Sequence, residues 1–156
     1  MVAIREDLLE PPVRELPTML RYRTHAEQGS LYNTPSTFGV YVMGRVFKWL
    51  LAEGGLAAVE RRNREKARVL YDYLDGQDFY VAPVAADSRS LMNVIFRSPT
   101  PELDKRFVAE ATKLRLDGLA GHRSAGGMRA SIYNAFPRAG CEALVSFMKD
   151  FAAKNG

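Results

Sequence analysis

Gly121-His122-Arg123-Ser124-Ala125-Gly126-Gly127-Met128-Arg129-Ala130-Ser131-Ile132-Tyr133-Asn134 is the stretch on which the reading of this chain turns. It reads as a polar, glycine-rich turn running into a strand. Glycines let backbone N–H groups close on an anion. Arginine is a two-pronged donor to phosphate or carboxylate, and Arg123 and Arg129 flank the turn together with His122. With a strand starting at Met128, Arg129 projects from its beginning, near the loop that carries Arg123. That spacing suits a small molecule with two acidic ends. A polar surface turn with solvated arginines has the same composition, so both readings stand at this point.

Working outward, Leu91–Phe96 is the clearest strand, because Val94, Ile95 and Phe96 favour extended backbone. Phe79–Val81 and Leu116–Leu119 read as shorter strands. A helix is expected from Leu56 to Leu74, with Ala57, Val59, Ala67, Leu70, Tyr71 and Leu74 as its apolar stripe and Gly76 as its stop. Pro99-Thr100-Pro101-Glu102 opens another, with Leu103, Phe107, Val108, Ala111 and Leu114 on one face. Pro137-Arg138-Ala139-Gly140 leads into the last, which turns Ala143, Leu144, Phe147, Met148 and Phe151 inward. This order predicts an α/β chain of α+β sandwich type: a small, mostly antiparallel sheet with helices packed on one face.

Toward the N-terminus the signals thin out. Val2–Ile4 suits a strand end, and Pro11, Pro12 and Pro17 punctuate a connector. Gly29-Ser30-Leu31-Tyr32-Asn33-Thr34-Pro35 reads as a loop delivering a helix, with Thr34 as N-cap and Pro35 as first helical residue. That helix is expected to run through Phe38, Val42, Val46, Trp49 and Leu50 to Gly54-Gly55, buried between layers because apolar residues cover much of its surface. A helix start attracts phosphate, which makes Asn33 and Thr34 a second anion-directed pair, with simple capping as the plainer alternative. The proline-rich lead of about 20 residues is expected to lie across another domain or subunit.

Composition bounds the rest. The chain has 156 residues, 47% hydrophobic and 26% charged, which is globular rather than disordered. A single cysteine excludes an internal disulfide, and with two histidines a zinc site would need carboxylates. No apolar run approaches the roughly 20 residues of a membrane span, and charges stand where a signal peptide needs an apolar stretch. The expectation is a soluble, cytoplasmic protein with no membrane partner. Net charge is +4, which favours anionic partners in general. Arg61, Arg62, Arg64, Lys66 and Arg68 are interleaved with Glu60 and Glu65, as on a solvated helix face. No aromatic-basic module accompanies them, so nucleic acid is not an expected partner.

Other candidates have plainer readings. His25 stands alone in a polar stretch. Cys141 falls in the first turn of a helix, where its pKa could drop, but no base lies nearby in sequence and packing is the preferred role. Trp49, Tyr71 and Tyr73 fall at helical spacing and read as core or interface.

Taken together, Gly29–Phe38 and Gly121–Asn134, with Arg61-Arg62-Asn63-Arg64-Glu65-Lys66-Ala67 and Arg89-Ser90-Leu91-Met92-Asn93-Val94 between them, resemble the phosphoserine aminotransferase family over essentially the whole chain. The resemblance implies a class V, fold-type I enzyme dependent on pyridoxal 5'-phosphate. Such enzymes convert 3-phosphohydroxypyruvate and glutamate to O-phosphoserine and 2-oxoglutarate. It assigns His122 and Arg123 to the substrate phosphate and Arg129 to the substrate carboxylate. It assigns Asn33 and Thr34 to the cofactor phosphate of the neighbouring subunit in a homodimer.

The resemblance also divides the chain. Residues 1–33 correspond to the end of a large cofactor-binding domain and a connector, 34–55 to an inter-domain helix, and 56–156 to the small C-terminal domain. The family's Schiff-base lysine would lie just before Met1. Lys48, Lys66, Lys105, Lys113, Lys149 and Lys154 fall in helical stretches outside its motif. The isolated chain is therefore expected to lack turnover and a catalytic residue of its own. A non-catalytic module that binds anions or dimerises is the alternative.

Overall fold

A computed structural model describes residues 1–9, 14–123 and 126–156. Pro11 and Pro12 of the connector, and Ser124 and Ala125 of the glycine turn, lie outside the described residues. The chain divides into two units, Met1–Trp49 and Leu50–Gly156, each described here by itself.

The first unit holds two single 3-10 turns, Glu6–Leu9 and Thr18–Leu20, helix α1 (Tyr22–Glu27) and most of helix α2 (Thr37–Ala52). Arginines tie its short segments together: Arg21 Nε donates to the Leu16 carbonyl at 2.7 Å and Arg23 Nε to the Leu9 carbonyl at 2.8 Å. Val2–Ile4 forms no strand. α2 begins at Thr37, so Thr34 is not its cap; the Ser36 carbonyl takes the first helical bond, from Val40 N at 2.9 Å. The expectation of a buried helix also fails, since α2 contains no buried residue and Phe38, Tyr41 and Leu51 are 77%, 64% and 72% exposed. Its apolar residues are spread around the cylinder, so only flanking layers could cover them. None of the short elements of its unit buries a residue either.

The second unit runs α3 (Gly55–Asp75), β1 (Asn93–Phe96), α4 (Pro101–Lys113), β2 (Met128–Ser131) and α5 (Arg138–Asn155). α3 stops at Gly76 as the sequence indicates. α4 is capped by Thr100, whose hydroxyl accepts from Leu103 N at 3.3 Å, with Pro101 at the first position, where no N–H is needed. β1 and β2 are antiparallel, pairing Asn93 with Ser131, Val94 with Ala130, Ile95 with Arg129 and Phe96 with Met128.

Of the two other expected strands, Phe79–Val81 shrinks to a single bridge, Val81 with Arg97, and Leu116–Leu119 forms no strand, the bridge there being Ala120 with Met128, one residue beyond it. Pro83, which lacks an N–H, follows the first closely. Arg115 and Gly118 adopt positive φ (62° and 75°) around the second, which breaks extended backbone there.

Strand alternation sends Val94, Phe96, Met128 and Ala130 into the core, where α3, α4 and α5 cover them. Phe107 is fully buried at the centre, with ring centroids of Phe147, Phe151, Phe96 and Tyr80 at 4.8, 5.1, 5.6 and 5.9 Å. Burying one such side chain contributes about 1.5–3 kcal/mol, and most of these pairs meet edge to face. Leu114, expected on this face, caps α4 and is 63% exposed. Within this unit α3, α4 and α5 thus sit on one face of the sheet and leave its other face uncovered by them.

Candidate functional site

The open face is set by register. Asn93 and Ile95 on β1 lie opposite Ser131 and Arg129 on β2, and all four are half-buried while their neighbours are in the core. Arg129 is therefore presented on the face that α3, α4 and α5 leave uncovered. Its backbone N donates to Leu119 O at 2.8 Å, which fixes it on the side away from β1. Its Nε is shielded from solvent and has no hydrogen-bond partner among the described residues. A shielded guanidinium donor without an acceptor is costly unless a ligand supplies one.

Ahead of Arg129 the chain folds back tightly. Gly121 N donates to Gly127 O at 2.9 Å and Gly126 N to His122 O at 2.8 Å. Gly126 and Gly127 both have φ of +68°. A Cβ on Gly121 would strike the Gly126 carbonyl, and one on Gly127 would come within 2.8 Å of the Phe96 carbonyl. Glycine is needed here for close backbone approach, and the resulting turn leaves His122 and Arg123 exposed. His122 keeps a contact of its own within the chain.

Behind Arg129 the strand is held from α3. Lys66 is completely buried, and its Nζ donates to the Ile132 carbonyl at 3.0 Å and the Tyr133 carbonyl at 2.7 Å. Burial holds its ammonium below the usual lysine value. Asn63, also on α3, donates its amide to Asn134 Oδ1 at 2.8 Å. On the open face Asn93 Oδ1 accepts from the Ser131 hydroxyl at 3.2 Å and the Tyr133 hydroxyl at 3.3 Å.

The entry to β1 is fixed as well. Arg89 forms a fork on Asp75 at 2.6 and 2.7 Å and lies 4.6 Å over the Tyr71 ring. Those bonds hold the Asp75 carboxyl below its usual range. Ser90 Oγ then accepts from Met92 N and Asn93 N at 3.0 and 3.1 Å.

Asn33 and Thr34 belong to the first unit. The turn after α1 places Gly29 and Ser30 at φ of 56° and 66°, with Ser30 N bonded to His25 O at 2.8 Å. Both Asn33 and Thr34 are exposed, and the Asn33 amide donates to the Thr34 carbonyl at 3.1 Å. His25 is engaged structurally, with Nε2 2.9 Å from Met19 O and its ring edge-on to Tyr32. Cys141 is buried and its thiol is pushed up, chiefly by desolvation, which fits the packing role rather than a nucleophile. No cluster of three metal-ligating side chains exists among the described residues.

Asn63 and Lys66 support the site from α3, and the expectation of a solvated face at Lys66 is corrected, since both side chains are buried. The spacing held the signal. Val59, Asn63, Lys66, Ala67, Leu70 and Leu74 are the buried residues of α3, and they share one helical face.

Residues 4–144 match the aminotransferase class-V family. This chain belongs to that family. The class-V aminotransferase chain is 55% identical to phosphoserine aminotransferase of Desulfotalea psychrophila over 155 residues, covering 99% of itself and 43% of that protein. It superposes on phosphoserine aminotransferase of Bacillus circulans subsp. alkalophilus with a TM-score of 0.90 at 49% identity, over 98% of this chain and 43% of that one. A pyridoxal-phosphate-bound phosphoserine aminotransferase from Trichomonas vaginalis matches with a TM-score of 0.86 at 40% identity, over 94% of this chain and 42% of that one. The chain thus spans less than half the length of these relatives. Pyridoxal phosphate is the cofactor of the family. No helix among the described residues is long and apolar enough to cross a membrane.

Proposed function

We propose that this chain supplies the substrate-orienting part of a pyridoxal-phosphate-dependent phosphoserine aminotransferase. The reaction exchanges an amino group between glutamate and 3-phosphohydroxypyruvate, giving O-phosphoserine and 2-oxoglutarate. His122 and Arg123 hold the substrate phosphate, and Arg129 holds the carboxylate. The observation that carries this reading is Arg129 itself, with a shielded and unpartnered Nε on the open face, next to the turn that bears His122 and Arg123. Charge-assisted, forked bonds of this kind fix a carboxylate in orientation as well as in place.

Residues 1–33 are the end of a large cofactor-binding domain and its connector, 34–55 the inter-domain helix and 56–156 the small domain. The span of α2, Thr37–Ala52, supports the middle segment. Asn33 and Thr34 would hold the cofactor phosphate of the partner subunit in a homodimer. Their exposed amide and hydroxyl are neutral donors that fit phosphate oxygens. When bound, the cofactor supplies an electron sink for carbanion chemistry. This chain's own residues do the orienting.

Turnover by the chain alone is not expected. Its six lysines all lie in helices, five of them exposed and the sixth, Lys66, committed to two carbonyls. Calorimetric titration with O-phospho-L-serine tests the reading. Saturable binding, lost in Arg123→Ala and Arg129→Ala variants that remain folded, is the expected result. No heat of binding at millimolar ligand overturns it.

A further inference from the structure

We infer that Arg97 is a further specificity residue of this site, one that recognises the doubly charged phosphate end of the ligand; the inference rests on the function proposed above. Arg97 directly follows β1. The alternation that buries Val94 and Phe96 puts Asn93, Ile95 and Arg97 on the open face. Ile95 pairs with Arg129, so Arg97 is one diagonal step from Arg129 on that face. Diagonal neighbours across an antiparallel pair stand about 7–8 Å apart, within reach of long side chains.

The direction of the side chain is visible at Gly127. A Cβ built there would meet Arg97 Cγ at 2.7 Å and Nε at 3.5 Å. The stem of Arg97 therefore lies across Gly127, at the base of the turn that holds His122 and Arg123, and Arg97 keeps a contact of its own within the chain.

Its backbone is fixed on both sides. Arg97 N and O each bond to Val81 at 2.9 Å, and Ser98 N donates to Asp104 Oδ1 at 2.8 Å. Asp104 also accepts from the Ser98 hydroxyl, so this carboxylate is engaged at the strand exit. A long cationic side chain on a rigid base suits recognition, because little backbone order is lost on binding.

Open-face residues then fall in a charge gradient. Tyr133, Ser131 and Asn93 are neutral, Arg129 is central, and Arg97, Arg123 and His122 border the other end. A phosphate monoester carries about −1.5 to −2 charges at pH 7 and a carboxylate one. The ligand's phosphate is thus directed to the Arg97 end and its carboxylate to Arg129. Arg97 acts on the phosphate and leaves the carboxylate contact alone.

Arg97→Gln and Arg97→Lys would be compared with the unsubstituted chain by calorimetry, using O-phospho-L-serine and L-glutamate at pH 8 and low salt. Circular dichroism would confirm folding. Arg97→Gln is expected to weaken phosphoserine binding about five- to tenfold, to flatten its salt dependence and to leave glutamate unchanged. Arg97→Lys should recover part of the loss. The Gln effect should shrink at pH 5, where the phosphate has lost one charge. Unchanged phosphoserine affinity in Arg97→Gln, or equal losses for both ligands or at both pH values, overturns the inference and spares the proposed function. Absence of phosphoserine binding by the unsubstituted chain overturns both.

Discussion

Replacing Gly127 by alanine is expected to destabilise the chain measurably more than the same change at Gly126. The two residues are adjacent and share a φ of +68°. Each substitution therefore pays the same left-handed penalty of about 1–2 kcal/mol. Each also recovers about 0.4–1 kcal/mol, because alanine restricts the unfolded chain. These shared contributions leave about 0–1.6 kcal/mol at either position.

The surroundings differ. Among the described residues a Cβ at Gly126 meets nothing within 4 Å, whereas one at Gly127 meets Arg97 Cγ at 2.7 Å and the Phe96 carbonyl at 2.8 Å. The arginine stem can swing aside. The Phe96 carbonyl belongs to the last residue of β1, paired with Met128, and moves only if the end of the ladder opens. Gly127 also accepts from Gly121 N, a bond that closes the turn. Forcing a methyl group into such a site costs about 1–3 kcal/mol. At roughly 2–4 °C per kcal/mol for a chain of this size, Gly127→Ala should melt about 2–12 °C below Gly126→Ala. Far-ultraviolet circular dichroism during urea and thermal unfolding measures the difference. Equal midpoints for the two variants would refute the close approach of β1 to the turn, and with it the placement of the Arg97 stem.

Lys66 gives a prediction in pH. Its folded value lies below the ordinary 10.5, first because of burial, so the unfolded chain binds more protons as pH approaches 10.5 and stability rises with pH over that window. The stability of the unsubstituted chain minus that of Lys66→Met should therefore increase up to pH 10.5, and a flat difference refutes the buried ammonium. Taking the difference removes Tyr71 and Tyr73, whose raised values act in the opposite sense above pH 10. Cys141, buried and with its thiol held up, should react with a thiol reagent at pH 8 at least about 100-fold more slowly in the native chain than in denaturant. Comparable rates would place the thiol at the surface.

The sheet and three of the helices could be read from residue types alone because each was bounded by chemistry that acts locally. Thr100-Pro101 starts α4, Gly76 stops α3, and Val94-Ile95-Phe96 favours extension on its own account. The short edge strands could not be judged this way. Whether Val81 or Ala120 continues a ladder depends on a partner and on the backbone at Pro83 and Gly118, which local β-propensity does not register. The apolar run of α2 predicted burial, but burial is a property of whatever covers a helix, and its own unit provides no cover. Lys66 shows the converse. A lysine amid arginines and glutamates reads as solvated, yet its helical phase sets it beside Asn63 and Ala67 on the buried face. There it satisfies two carbonyls that β2 releases as it ends. Those carbonyls lie 66 and 67 residues away in sequence, so no local pattern announces them. The same distance explains the uneven visibility of the site. Arg129, His122 and Arg123 were visible because they crowd one glycine turn. Arg97 was not, because only the pairing of Phe96 with Met128 brings its stem over Gly127.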